Sequence, residues 1–373
     1  MRRTLLHIGI GLGVAALATA GVTTARPAAA DAGTLSGCHD DGKHYEVCFT
    51  DPRHDKGKVI EHRLGRLVDS AHRGDTIRIA LFKFNRKPLA KKVAAANDRG
   101  VNVKLVLDAG QVKGTPGYQT LKSRGVPMTL CTTGGGSCLG THINHNKFFL
   151  FDIDGHKSVA QTSFNVANGS LKLYNNMVRV TGDAKLYDFY LAYWQRLHDK
   201  TWRGWTNDDR HRKGSLATKA YVFPRKTGDP VLGVLRNVTD CREHDAKIYL
   251  AESIFDHTRP AVRHRLAVLH EKKKCNVKVV VQQAEDEQWV QAPTGGYDLP
   301  NAKVRHIKLH HKFIVIDAKY NGHWQRVVFT GSHNLNKRSL RSNDEAMLRV
   351  RNPFVYQQFR RHFLDIYRIA GRG

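Results

Sequence analysis

His145-Asn146-Lys147-Phe148-Phe149-Leu150-Phe151-Asp152 and His310-His311-Lys312-Phe313-Ile314-Val315-Ile316-Asp317 are one phrase written twice in this chain. Each reads His-x-Lys, four apolar residues, then Asp. An apolar run of that length, rich in β-branched and aromatic residues, predicts a buried strand. Residues two apart in a strand share a face, so each strand presents its His and Lys together. Neighbouring histidines do not complete the phrase. His142 has Asn144 two places on, His311 has Phe313, and His306 has Lys308 but no acid at the right distance. Only His145 and His310 satisfy all three positions.

Outward from these strands the duplication continues, and such repeats govern the reading of everything else. Asp75-Thr76-Ile77-Arg78-Ile79-Ala80-Leu81-Phe82 is matched by Asp245-Ala246-Lys247-Ile248-Tyr249-Leu250-Ala251-Glu252. Asn102-Val103-Lys104-Leu105-Val106-Leu107 is matched by Asn276-Val277-Lys278-Val279-Val280-Val281. Between them lie amphipathic stretches that predict helices, one over 91–99 and one carrying Val262, Leu266 and Leu269 on one face. Ile60, Leu64, Leu67 and Val68 form an earlier stripe. Asp229-Pro230 reads as a cap and first-turn proline for a helix over 231–238. Aromatic helices close each half, around Phe189, Tyr190, Tyr193 and Trp194 and around Phe359, Phe363 and Ile366; their rings are expected in the core. The pattern predicts an α/β fold of two fused α/β/α repeats related by a pseudo-twofold, with mostly parallel strands. The expected boundaries are a first repeat over 31–205, a linker over 206–220 and a second repeat over 221–373.

Arg2 and Arg3 precede an apolar, Gly/Ala-rich stretch, and Ala28-Ala29-Ala30 precede Asp31. That is the layout of a secretory signal over 1–30, too short and too diluted for a membrane span. The mature chain is therefore expected to be secreted and extracellular, without a transmembrane anchor. Cys38, Cys48, Cys131, Cys138, Cys241 and Cys275 all follow the signal, and an even count in an exported chain reads as disulfides. Spacing favours Cys38 with Cys48, Cys131 with Cys138, and Cys241 with Cys275. The formal charge is +27, or +24 once Arg2, Arg3 and Arg26 leave with the signal. A field of that sign attracts polyanions: nucleic acid, anionic lipid surfaces or teichoic acids.

Downstream of each phrase stands a small polar cluster, Thr162-Ser163-Phe164-Asn165 and Gly331-Ser332-His333-Asn334. Asn343-Asp344-Glu345 then precedes the strand over 346–350, and Tyr174-Asn175-Asn176 precedes the one over 177–180. Together these residues resemble the phospholipase D superfamily, whose motif is His-x-Lys-x4-Asp followed by Gly-Ser-x-Asn. The resemblance covers most of the mature chain. It implies a phosphodiesterase with its active site between the repeats and a covalent phosphohistidine. His145 is then the nucleophile, His310 the general acid, and Glu345 the acid from the other half that orients His145. Asn175 or Asn176 stands where the first half would carry its own acid, and Thr162 stands where glycine is usual.

The residue types suit that chemistry. Lys147 and Lys312 neutralise the non-bridging oxygens of a diester, and Ser163, Asn165, Ser332 and Asn334 offer further hydrogen bonds where charge builds up. Asp152 and Asp317 end the strands and are expected to support rather than react. No cofactor and no metal is expected, because lysines interrupt every histidine cluster and an ammonium is a poor neighbour for zinc. Phospholipid is the first expected substrate, by head-group hydrolysis or transfer at an anionic membrane surface. Nucleic acid is the alternative, and teichoic acid a third. A polyanion-binding protein without catalysis is the non-enzyme alternative. A monomer suffices, since both phrases lie in one chain.

Overall fold

Alternation along the two motif strands sets the layering. In a computed structural model, which describes Met1 and residues 36–54, 57–242 and 244–371, Phe148 and Leu150 join one core cluster and Phe149 and Phe151 another. Phe313 and Val315 join the first of these clusters, whereas Ile314 and Ile316 join a third. A strand buried on both faces has no polar side to show, which is why both runs are apolar throughout. The expected signal segment, from Arg2 onward, lies outside the described residues.

Among the described residues the first sheet comprises β1 (Gly37–Asp40), β2 (Tyr45–Phe49), β3 (Thr76–Leu81), β4 (Asn102–Asp108), β5 (Met128–Cys131), β6 (Lys147–Ile153), β7 (His156–Thr162) and β8 (Asn176–Thr181). The second comprises β9 (His211–Lys213), β10 (Thr218–Phe223), β11 (Val238–Asp240), β12 (Lys247–Glu252), β13 (Asn276–Val281), β14 (Val304–His306), β15 (Lys312–Tyr320), β16 (His323–Gly331) and β17 (Glu345–Val350). Their orders are β1-β2-β8-β7-β6-β3-β4-β5 and β14-β13-β12-β15-β16-β17-β10-β9, with β11 beside β15. Both lie in one compact unit, Leu35–Gly373.

The expectation of mostly parallel strands is corrected. Only β3-β4-β5 and β12-β13-β14 run parallel, and every other pairing is antiparallel. The cause is a two-residue turn after each motif strand. Asp154-Gly155 joins β6 to β7, and Asn321-Gly322 joins β15 to β16. All four residues have positive φ, the requirement of the turn that matches strand twist.

The aromatic helices Ala184–Asp199 and Pro353–Ala370 share one core cluster with inward residues of both sheets. Val59–Asp69 and Lys87–Asp98 cover the other face of the first sheet, and Pro230–Arg236 and Pro260–Glu271 that of the second. Asp229 does cap its helix, accepting from Val231 and Leu232 N–H at 3.0 and 3.1 Å. That helix stops at Arg236, short of the expected Val238, which pairs in β11.

The segment 206–220 is more than a tether. β9 and the first half of β10 extend the second sheet, so Thr218, Lys219 and Ala220 belong with the repeat that follows. Arg210 lies 3.7 Å over the Trp202 ring and Arg196 4.0 Å over Trp205. The disulfides are Cys38–Cys48, Cys131–Cys138 and Cys241–Cys275, leaving no free cysteine among the described residues. No helix among them is long and apolar enough to cross a membrane.

Candidate active site

Each motif histidine is hung by its backbone on the opposite repeat. His145 N–H donates to the Asp344 carbonyl at 2.9 Å, and His310 N–H to the Tyr174 carbonyl at 2.9 Å. The following residues, Glu345 and Asn175, are thereby equivalent. The strand register agrees, since Thr162 pairs with Met177 as Gly331 pairs with Met347. Of the two asparagines, Asn175 therefore occupies the place of the acid.

The rings are met accordingly. Glu345 oxygens lie 2.8 and 2.9 Å from His145 Nδ1. His310 Nδ1 faces the Ser163 carbonyl at 2.8 Å and Asn175 Oδ1 at 3.3 Å. A carbonyl only accepts, so His310 carries its hydrogen on Nδ1 when neutral. Lys147 Nζ donates to the His145 carbonyl at 2.8 Å, and Lys312 Nζ to the His310 carbonyl at 3.0 Å. Each histidine stands two residues before its strand begins, and the lysine at the strand's first position reaches back to its carbonyl.

Burial dominates the electrostatics. It holds His145 and His310 well below the usual imidazole range, and Lys147 and Lys312 push in the same direction. A backbone hydrogen bond to Ser332 pulls His145 partly back, as one to Ser163 does for His310. Burial also lowers Lys147 strongly and Lys312 to about 7, while it raises Glu345. Burial thus disfavours the charged forms, and a bound anion would oppose the lowering of the histidines and lysines.

The remaining expected residues divide into two groups. Ser163 Oγ accepts from Asn176 N–H at 3.0 Å and lies 3.3 Å from Asn175 Oδ1; Ser332 Oγ accepts from Ala346 N–H at 3.1 Å. These hydroxyls tie each polar cluster to the strand that follows it. Asn165 and Asn334 are buried, each with Oδ1 unpartnered among the described residues. Asp317 accepts from Trp324, Tyr356 and Arg326 at 2.7, 2.6 and 3.2 Å, at the far end of its strand from His310. Asp152 likewise sits away from the histidines, opposite Thr76 and Lys157. Thr162 turns into the fold, donating to the Asn176 carbonyl at 2.7 Å. At Gly331 an added Cβ would meet the Ala346 carbonyl at 2.2 Å.

Several participants escaped the sequence reading. Asp344 accepts from Ser137 Oγ at 2.8 Å and from Cys138 and Gly140 N–H at 2.6 and 2.7 Å, clamping the disulfide loop beside His145. Lys83 adds a cation felt by His145 and Lys147. Arg259, paired to Asp229 at 2.7 Å, meets His333 at 3.2 Å. Glu252 lies opposite Lys312, where the first repeat has Leu81 opposite Lys147. In the sequence Glu252 shows only as an acid closing an otherwise apolar strand; its equivalence to Leu81 comes from the strand register. As to metals, the grouping with suitable donors among the described residues is Cys38, Glu46 and Cys48, whose cysteines are joined in a disulfide.

The family model described as "Cardiolipin synthase, PLD-like domain" matches residues 64–198 and 241–367. No curated protein matches. Among solved structures, phosphatidylserine synthase from Haemophilus influenzae Rd KW20 is similar over 89% of this chain and 88% of its own, with TM-score 0.60 and 13% identity. Polyphosphate kinase from Porphyromonas gingivalis is similar over 88% of this chain, with TM-score 0.57 and 15% identity, and this chain spans 47% of its length. Nuc from Salmonella typhimurium, described as a phospholipase D family member, is 22% identical over 42% of this chain and 94% of its own, with TM-score 0.34.

Proposed function

This chain belongs to the phospholipase D-like family, with two of its domains in one polypeptide, and on that premise we propose that it is a metal-independent phosphodiesterase acting through a phosphohistidine. The observation that carries the reading is the cross-repeat bracing: His145 against Glu345, and His310 against Ser163 and Asn175. With Nδ1 held, each ring has only Nε2 to offer a substrate.

His145 Nε2 attacks phosphorus, forming an N–P bond as the bond to the leaving oxygen breaks. Glu345 stabilises the imidazolium that develops. His310, protonated on Nε2, gives that proton to the leaving oxygen. Lys147 and Lys312 hold the non-bridging oxygens, and the diester's charge offsets the depression they impose on His310. Water then loses a proton to His310 and attacks phosphorus, and the N–P bond breaks.

For the substrate we infer phospholipid, with head-group hydrolysis or transfer at an anionic surface; an export signal and three disulfides fit an extracellular enzyme. The net charge of +27, or +24 without residues 1–30, favours nucleic acid as the second reading. Head-group release from phosphatidylcholine and phosphatidylglycerol vesicles in EDTA, beside plasmid nicking, decides between them. Lipid cleavage that survives EDTA and vanishes in His145→Ala is the expected result. Plasmid cleavage alone would assign nucleic acid. Inactivity of both proteins on both substrates would turn the search to teichoic acid and weaken the catalytic reading.

A further inference from the structure

The two motif lysines keep different company. Lys147 lies in register opposite Leu81, and Lys312 opposite Glu252, the last residue of β12. Leucine serves at that place in one repeat, so the fold does not demand an acid in the other. Glu252 is only 2% exposed, and withdrawing a carboxyl from water is costly without compensation.

Its polar surroundings are few. Glu252, Lys312 and His333 line a cavity of about 10 Å3, otherwise walled by apolar groups such as Phe313, Phe329 and Leu335. Glu252 Oε2 and His333 Nδ1 have no hydrogen-bond partner among the described residues. A polar space of that size accommodates a single water with two to four partners. Lys312 Nζ, beyond its bond to the His310 carbonyl, has further protons to give.

Ionisable groups face Lys312 from every side. Glu252 comes from β12, Glu345 from β17, and Lys147 and His145 from the first repeat. His310 and His311 immediately precede it in the chain, and His333, with Arg259 beside it, lines the cavity. Glu345 is engaged by His145, which leaves Glu252 as the acid for Lys312. Burial raises Glu252, with Lys312 the foremost opposing charge.

We propose that Glu252 is a positioning residue for Lys312: through a water shared with His333, it keeps the second motif lysine charged and aimed at the substrate phosphate. The assignment rests on the phosphodiesterase reading above. Without substrate, the two buried groups share a proton. When an anionic diester settles against Lys312, the proton on Glu252 passes to Lys312 Nζ, leaving a carboxylate and an ammonium. The transfer is internal and needs no other reactant.

The test compares wild type with Glu252→Gln and with Glu252→Leu, the latter copying Leu81. Inorganic phosphate binding is followed by calorimetry, and bis(p-nitrophenyl) phosphate hydrolysis by absorbance, both from about pH 6 to about pH 9. Both variants should bind phosphate like wild type near the acid end and about tenfold more weakly towards the alkaline end, and the alkaline limb of hydrolysis should move down by about one unit. Unshifted profiles in natively melting variants would overturn the proposal. So would an equal loss at every pH, which is the mark of packing alone. If the variants differ from wild type in phosphate binding as predicted but wild type cleaves no diester, the phosphodiesterase reading fails while this one stands.

Discussion

His145 Nδ1 and the Glu345 carboxylate, 200 residues apart in the chain, stand 2.8 Å apart in the fold. The equivalent nitrogen of His310 meets a backbone carbonyl and an amide instead. Only one of the two rings has a carboxyl group behind it, and in the proposed mechanism that difference separates nucleophile from acid.

Glu345→Gln should therefore lower kcat by about a hundredfold or more, the scale of general acid–base and imidazolium support. Asn175→Ala should lose about tenfold or less, because the Ser163 carbonyl still holds His310. Steady-state kinetics on one phosphodiester checks this. Equal small losses in both variants would refute the division of roles.

The roles can also be separated by trapping. With bis(p-nitrophenyl) phosphate, whose leaving group needs little protonation, His310→Ala should release a burst of nitrophenolate and accumulate an acid-labile phosphoenzyme. His145→Ala should give neither. Rapid-quench labelling reads both, and the reverse pattern would exchange the two assignments.

His333 is pushed down to about 3 by burial and by Arg259. Its folded value lies below the unfolded one, so the stability it contributes is complete above about pH 6.5 and drains away as pH falls towards 3. A His333→Asn variant lacks that loss. Its melting temperature should gain on wild type by several degrees between neutral pH and about pH 4. Parallel melting curves across that range would show that His333 does not titrate on unfolding.

The Cys131–Cys138 bridge closes the loop whose Ser137, Cys138 and Gly140 donate to Asp344, and Asp344 in turn holds His145 by its carbonyl. A Cys131→Ser/Cys138→Ser chain should lose activity about tenfold beyond any effect of unfolding, since small displacements of a catalytic group are costly. Removing Cys38–Cys48, on the far strands of the first sheet, should lower thermal stability and leave kcat within about twofold of wild type. Activity measured well below each melting temperature distinguishes the two.

Much of this architecture was legible because period-two strands and a doubled His-x-Lys phrase are local signals. Lys147 and Lys312 lie with their histidines two residues earlier, each held to that histidine's carbonyl where the strand begins. Strand direction was misread because the decisive residues were the short Asp154-Gly155 and Asn321-Gly322 turns, overshadowed by the βαβ pattern before them. Spacing could not choose between Asn175 and Asn176, since adjacent residues point to opposite faces and the register comes from the His310–Tyr174 backbone bond and the Thr162–Met177 pairing. Asp344, Arg259 and Lys83 reach the site through tertiary packing and leave no pattern in their own neighbourhoods. Glu252 looked like the polar end of a strand, and only its pairing with Lys312 gives it meaning.

The crossed backbone bonds, His145 to Asp344 and His310 to Tyr174, have a consequence for how such a protein can change. Two identical chains assembling this centre would be bound by symmetry, and any substitution beside one imidazole would appear beside the other. Joining the halves in a single polypeptide lifts that obligation while keeping the reciprocal scaffold. Glutamate can then stand in one half and asparagine in the other, glycine against threonine, leucine against glutamate. Inheritance of the two halves as one unit is what permits a doubled fold to hold an undoubled chemistry.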